Sequence, residues 1–335
     1  MNNDKNILQD SHARKHTYLR ISLTERCNLR CSYCMPEEGV ELSPKSHLMS
    51  FDEIYEIAKT FVKHGVTKIR LTGGEPLIRK DISVILKKLA TLPVELSITS
   101  NAVIIHKYID VLKQNGIQSI NVSLDTLDKN KFMFITKRDQ FGIVYANILR
   151  LVKEGFNVKV NAVLIKGIND HEIIDFINFT KELPISVRFI EFMPFEGNQW
   201  NFKKMVSYKD VMDCVQHSFN SKKIIRLQDS PHDTSKNYSI EGYKGSFAII
   251  SSVTNPFCDS CNRLRLTANG QLKNCLFSST ESDLLTPLRE GKSIEVIIQK
   301  AVLAKFKVRG GMDTLKKLQE PKLHNKNRSM IRIGG

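Results

Sequence analysis

No stretch of this 335-residue chain is both long and apolar enough to cross a bilayer, because its hydrophobic runs are short and broken by charge. Met1 to Lys15 lacks the apolar core of a secretory signal. These two absences make the cytosol the expected compartment and exclude a membrane partner. Carboxylates are scarce beside cations, 35 against 50, for a formal net charge of +15. Such an excess favours anionic partners such as nucleic acid or a polyphosphate, although basic residues spread along a whole chain also describe a generally basic surface. A disulfide framework is not indicated either, since the seven cysteines are odd in number and no export signal precedes them. Internal repeats and low-complexity tracts are absent.

What is present is an ordinary globular composition, long enough for one large domain and a smaller one. From Tyr18 to Phe192, β-rich runs at 18–23, 67–71, 94–99, 119–124, 158–164 and 186–192 alternate with helical patterns. Helices are predicted at 51–64, 81–90, 105–114, 141–154 and 171–182. The first has Ser50 and Glu53 as a capping box and Gly65 just past its end. Six β/α units predict a parallel barrel or a doubly wound sheet, with ligands at the C-terminal strand ends. After Pro194 the pattern changes: a helix at 208–218, a loop over 228–246, a strand at 247–253, and helices at 283–290 and 294–306. The expected organisation is residues 1–194 as an incomplete (β/α)6 TIM-type barrel, with 195–335 as a smaller α+β domain closing it.

Cysteine placement says more than cysteine number. Cys27, Cys31 and Cys34 follow the first strand. Three thiolates in eight residues can hold three corners of an iron–sulfur cube and leave the fourth iron open to a chelating ligand. A zinc knuckle is the alternative from spacing alone. Thr72-Gly73-Gly74-Glu75-Pro76 follows the second strand, where paired glycines let backbone approach a neighbour closely. The C-x-x-x-C-x-x-C loop with Tyr33 before its last cysteine, followed by this GGEP turn, resembles the radical S-adenosylmethionine (SAM) superfamily. The resemblance implies that Gly73, Gly74 and Glu75 grip SAM, with Tyr33, Ser123 and Met193 as further SAM contacts.

Cys258, Cys261 and Cys275 form a second triplet, which a turn at Gly270 would bring together. An open cluster is favoured over zinc, for which His232, Cys214 and Asp259 are unconventionally spaced fourth ligands. Arg20, Arg70, Lys159 and Arg188 sit inside β-runs, where an unpaired charge is costly and a bound polyphosphate is an economical partner.

A second triplet whose first pair is followed by Arg263-Leu264-Arg265, together with a Gly334-Gly335 end, resembles the GTP 3′,8-cyclases of molybdenum-cofactor biosynthesis. That resemblance implies two [4Fe–4S] clusters and SAM as cofactors. It makes Arg20, Arg70, Thr99, Lys159, Arg263, Leu264 and Arg265 contacts to GTP, with Arg188 a further candidate for the same anion and Arg265 a candidate proton or electron donor. The implied reaction removes hydrogen from ribose C3′ with a 5′-deoxyadenosyl radical and joins C3′ to guanine C8. An external one-electron reductant and the next molybdopterin enzyme are the implied partners, with no nucleic acid, and the chain a monomer or homodimer. In this family Ala13 and Ala102 are usually glycine, and Glu25 is usually Asp. The alternatives are a peptide-modifying radical SAM enzyme and a zinc-knuckle nucleic-acid-binding protein.

Overall fold

Strict alternation between core and non-core side chains shapes each of the first six strands. They are β1 (Tyr18–Ser22), β2 (Lys68–Thr72), β3 (Glu95–Ser100), β4 (Ser119–Ser123), β5 (Asn157–Leu164) and β6 (Ser186–Glu191) in the computed structural model, which describes residues 6–35, 39–320, 323 and 327–334. Leu19, Ile21, Ile69, Leu71, Ile98, Ile120, Val160 and Val187 belong to one buried apolar core. Arg20, Arg70, Thr99, Asn121, Lys159 and Arg188 occupy the intervening positions and line a cavity.

Helices cover the apolar face. Phe51–Lys63 buries Ile54, Ile57, Ala58 and Phe61, and its Ser50–Glu53 capping box is formed. Phe61 is 1% exposed, so Phe61→Ala would cost about 3–5 kcal/mol. Two expected helices are shorter than their pattern. Ile105–Lys107 is a 3-10 turn ahead of Ile109–Gln114, and 171–182 retains only Ile173–Asn178 as α-helix. Lys129–Thr136 is a helix that the pattern did not reveal, with Met133 and Phe134 on its exposed side.

The later strands join the same sheet. They are β7 (Ile224–Arg226), β8 (Lys236–Ile240), β9 (Ser246–Ile250), β10 (Arg263–Leu266), β11 (Gln271–Lys273) and β12 (Ser282–Asp283), in the order β12-β11-β10-β1-β2-β3-β4-β5-β6-β9-β8-β7. β10 runs parallel to β1 and β9 parallel to β6, so eight consecutive strands are parallel. Residues from β10 through β6 share one cavity, so the sheet curves around it as a partial barrel. The order has two ends, β12 and β7, and the barrel is therefore open. The loop expected over 228–246 instead contains β8, paired antiparallel with β7 and β9. Its polar Lys236, Asn237 and Ser239 hid a strand of low apolar content, which lies one place in from the β7 edge.

Candidate active site

Strand register builds the cationic wall. Arg20 lies opposite Arg265 on one side and Arg70 on the other. Thr99, Asn121 and Lys159 are in register across β3, β4 and β5, and Asn161 faces Arg188 across β5 and β6. Like charges opposite one another on neighbouring strands repel, so three arginines abreast call for a compensating anion. The cavity they line encloses about 560 Å³. Its cations are Arg20, Lys68, Arg70, Lys159, Arg188, Arg263, Arg265, Lys305 and Arg309, set against the carboxylates of Asp125 and Asp233.

Burial and mutual repulsion disfavour the charged forms of several of these groups. Burial, then Arg188 and Arg70, push Lys159 down to about 8. Burial, then Arg70, lowers Arg188 to about 10, and burial lowers Arg265 to about 10. Arg20 falls well below the usual arginine value through burial and the charge of Arg265. Buried polar atoms here also lack protein partners: Arg70 Nε, Arg188 Nε, Arg263 Nη1, Thr99 Oγ1, Asn121 Oδ1 and Asn161 Oδ1. The three guanidinium donors among them fit a polyanionic ligand, while the two asparagine oxygens accept and suit a hydroxyl or N–H donor on the same ligand. Asn121, Asn161, Lys68 and Tyr18 join the lining although sequence reasoning passed over them. Their signal was the period-two register with Arg70 and Lys159.

The first triplet lies on the loop after β1, and all three cysteines line the cavity. Asn101 Nδ2 lies 3.6 Å from Cys27 Sγ and the Leu29 amide 3.4 Å from it. Burial, followed by the Asp125 charge and the other two thiols, drives Cys31 well above its usual value, and burial with Cys27 pushes Cys34 up to about 12. Three buried thiols that penalise one another's ionisation need a multivalent cationic centre to become thiolates, which iron supplies. Among the described residues no group of three His, Cys, Asp or Glu is arranged for a single metal ion.

The second triplet also lines the cavity, and the Gly270 turn between β10 and β11 is formed as expected. Cys261 differs from the other thiols. Burial is the largest influence and raises it, but Lys305 and the Arg263 backbone amide outweigh this and the thiol ends below its usual value. Lys305 Nζ lies 3.7 Å from Cys261 Sγ and donates to the Arg263 carbonyl at 2.9 Å. The Arg309 amide approaches Cys258 Sγ at 3.4 Å.

The GGEP turn packs against the cysteine loop. A Cβ on Gly74 would stand 2.2 Å from the Arg26 carbonyl oxygen, so glycine is obligatory there. The Gly74 amide donates to Thr24 O and the Glu75 amide to Arg26 O, both at 2.8 Å. The Glu75 carboxylate is fully buried and accepts from Leu77 N and from Ser100 Oγ and Asn101 N of the cavity lining, with burial raising it to about 7. Leu264 likewise points into the apolar core. Gly73, Ser123, Met193 and Tyr33 line the cavity, and Tyr33 donates to Asp125 at 2.7 Å.

The C-terminal helix Met330–Ile333 buries Ile331 and Ile333, and Gly334 follows at φ 73°. A Cβ on Gly334 would come within 2.6 Å of Thr72 Oγ1 and 2.8 Å of Ser22 Cβ. Gly335 lies outside the described residues. Glu25, where the family pattern has Asp, accepts from Ser43 N and Oγ and approaches Arg332 Nε at 3.9 Å.

Known proteins match this arrangement. Residues 21–180 fit the model of the Radical SAM superfamily, and 185–310 that of Molybdenum Cofactor Synthesis C. The chain is 50% identical over 335 residues to the mitochondrial GTP 3′,8-cyclase of Arabidopsis thaliana, covering 98% of this chain and 84% of that one. It is 40% identical over 338 residues to the GTP 3′,8-cyclase of Listeria welshimeri, covering 98% and 99%. Streptococcus suis SuiB shares the fold, with a TM-score of 0.62 at 16% identity over 88% of this chain and 69% of its own. The chain belongs to the GTP 3′,8-cyclase family of radical SAM enzymes.

Proposed function

We propose that the cavity carries out the reaction for which the family is named, the 3′,8-cyclisation of GTP, as the first step towards the molybdenum cofactor. The observation that carries this reading is a cavity lined by both thiol triplets and by cations, among which Arg70 Nε, Arg188 Nε and Arg263 Nη1 are buried donors without a protein hydrogen-bond partner. Cys27, Cys31 and Cys34 would hold one [4Fe–4S] cluster, and Cys258, Cys261 and Cys275 a second. When bound, the first cluster supplies reductive cleavage of SAM, and the second offers an open iron to the guanine.

The residues of the chain do the rest. Arg20, Arg70, Lys159, Arg188, Arg263 and Arg265 offset the triphosphate charge, and their fixed strand positions hold the nucleotide in one register. Gly73, Ser123, Met193 and the Tyr33–Asp125 pair line the side nearest the first triplet, where SAM would lie. Burial of the cavity limits access of water to a radical. The division at residue 194 assigns the SAM side to the first six strands and the second cluster to the remainder. Among the described residues no helix is long and apolar enough to cross a membrane. Seven free cysteines support a reducing compartment such as the cytosol.

Anaerobic purification with iron and sulfide analysis tests the reading, alongside product analysis with GTP, SAM and dithionite. About eight irons per chain and conversion of GTP to a cyclised triphosphate are expected. Bound zinc without iron, or SAM cleavage coupled only to a peptide, would overturn it.

A further inference from the structure

The helix Lys129–Thr136 separates the first cysteine triplet from solvent. Phe132, Ile135 and Thr136 line the cavity beside Cys27, Cys31 and Cys34. On the opposite side Met133 is 50% exposed, and Phe134, at 59%, is more exposed than any other large apolar side chain described. Backbone bonds stitch this helix to the cysteine loop: the Arg30 amide donates to Thr136 O at 2.9 Å and the Ser32 amide to Ile135 O at 3.1 Å. The wall is therefore one helix thick.

Cations surround the exposed pair. Lys137 Nζ sits 4.8 Å from the centroid of the Phe134 ring. Arg30 Nη1 donates to the Cys27 carbonyl at 2.6 Å and the Leu29 carbonyl at 3.0 Å, which holds its guanidinium at the rim of the cysteine loop. Arg138 Nη1 donates to the Lys137 carbonyl at 2.7 Å. Lys129 and Lys131 pair with Asp139 and Glu172. Among the described residues Arg30, Lys137 and Arg138 form no ion pair, and all three are exposed.

A single exposed apolar residue is ordinary on a monomer. Adjacent Met and Phe side chains ringed by uncompensated cations are the composition of an interface centre for an anionic protein. The reaction proposed above consumes an electron that no group of this chain can generate. We propose that the Met133–Phe134 face, with Arg30, Lys137 and Arg138, is the docking surface for an acidic one-electron carrier protein that reduces the cluster held by Cys27, Cys31 and Cys34. The carrier loses one electron, the cluster gains it, and no proton or group is transferred. This inference rests on the proposed function, whose partner it names.

The test uses the anaerobic holoprotein, with reduced flavodoxin as the acidic carrier and dithionite as a small reductant that needs no docking. The variants are Met133→Ala/Phe134→Ala and, separately, Arg138→Glu, whose exposed side chain has little to lose on folding. Formation of 5′-deoxyadenosine is followed against flavodoxin concentration, and flavodoxin binding is measured directly by titration. Each variant should need at least tenfold more flavodoxin for the half-maximal rate and bind it correspondingly more weakly, while its dithionite-driven rate stays within twofold of the parent. Higher salt should weaken the parent's response to flavodoxin but not to dithionite. Unchanged flavodoxin dependence and binding in both variants overturns the docking surface and leaves the proposed reaction intact. Failure of the parent chain to cleave SAM even with dithionite overturns the reaction itself.

Discussion

Arg265 Nη1 donates a 2.8 Å hydrogen bond to the carbonyl of Gly334, joining a strand of the cationic wall to the last described residue of the chain. A guanidinium that lines the cavity is thus positioned by the tail, and the tail in turn is held by that guanidinium.

Gly334→Ala should therefore disturb the site. Its Cβ would meet Thr72 Oγ1 and Ser22 in a left-handed backbone conformation. Cyclisation should fall at least tenfold with iron content and SAM binding preserved, as read by product assay, iron analysis and anaerobic titration. A C-terminal extension should act in the same direction, whereas an N-terminal tag should not. Full cyclase activity in the extended protein would falsify this role for the tail.

The two triplets should be separable. Cys31→Ala should abolish 5′-deoxyadenosine formation. Cys261→Ala should lose about half the iron and all cyclisation while the first triplet keeps its cluster. Iron analysis with EPR of the reduced protein distinguishes the two variants, and an unchanged Cys261→Ala protein would remove the second site.

Arg263→Ala tests the substrate assignment. Its Nη1 is buried without a protein partner, while Nη2 donates to the His232 carbonyl at 2.9 Å. A charge-assisted contact contributes roughly 1.5–3 kcal/mol, so GTP binding should weaken at least tenfold. SAM affinity, measured in the same anaerobic titration, should be unchanged. Equal loss of both ligands points to misfolding.

Two alanines stand at left-handed positions where the family usually has glycine, Ala13 at φ 62° and Ala102 at φ 60°. Left-handed backbone costs a non-glycine residue about 1–2 kcal/mol, and glycine costs about 0.4–1 kcal/mol through the unfolded chain. Ala13 is exposed, so Ala13→Gly should stabilise by up to about 1 kcal/mol. Ala102 is fully buried, and losing its methyl removes about 0.8 kcal/mol, which cancels the gain. Thermal melts of the two variants should separate, with only Ala13→Gly raising Tm.

Much of the fold was legible because its strands carry single-period signals. Leu19, Ile21 and their counterparts on β2–β6 marked the core face, and Ser50–Glu53 marked a helix start that is formed as read. The pairing of β10 with β1 was not legible, since no local pattern reports a contact between Tyr18 and Arg263. The same holds for Lys305 beside Cys261, which local spacing cannot disclose. Leu264 lies between cavity-lining Arg263 and Arg265, but its own side chain belongs to the apolar core, and the Glu75 carboxylate is bonded to Leu77, Ser100 and Asn101. A motif names a stretch of backbone, and the alternation within it decides which side chains reach the ligand.

The flanking of β1 by β10 and of β6 by β9 also governs when the protein can assemble. A chain emerging from the ribosome has six parallel strands in place long before residues 246–266 are made, and until then both margins of that sheet display unpaired amides and carbonyls. Such contacts between distant parts of the sequence form slowly and invite association with other chains. A fragment ending at residue 194 should accordingly precipitate rather than fold, and productive maturation depends on the late arrival of the very strands that flank the second cysteine group.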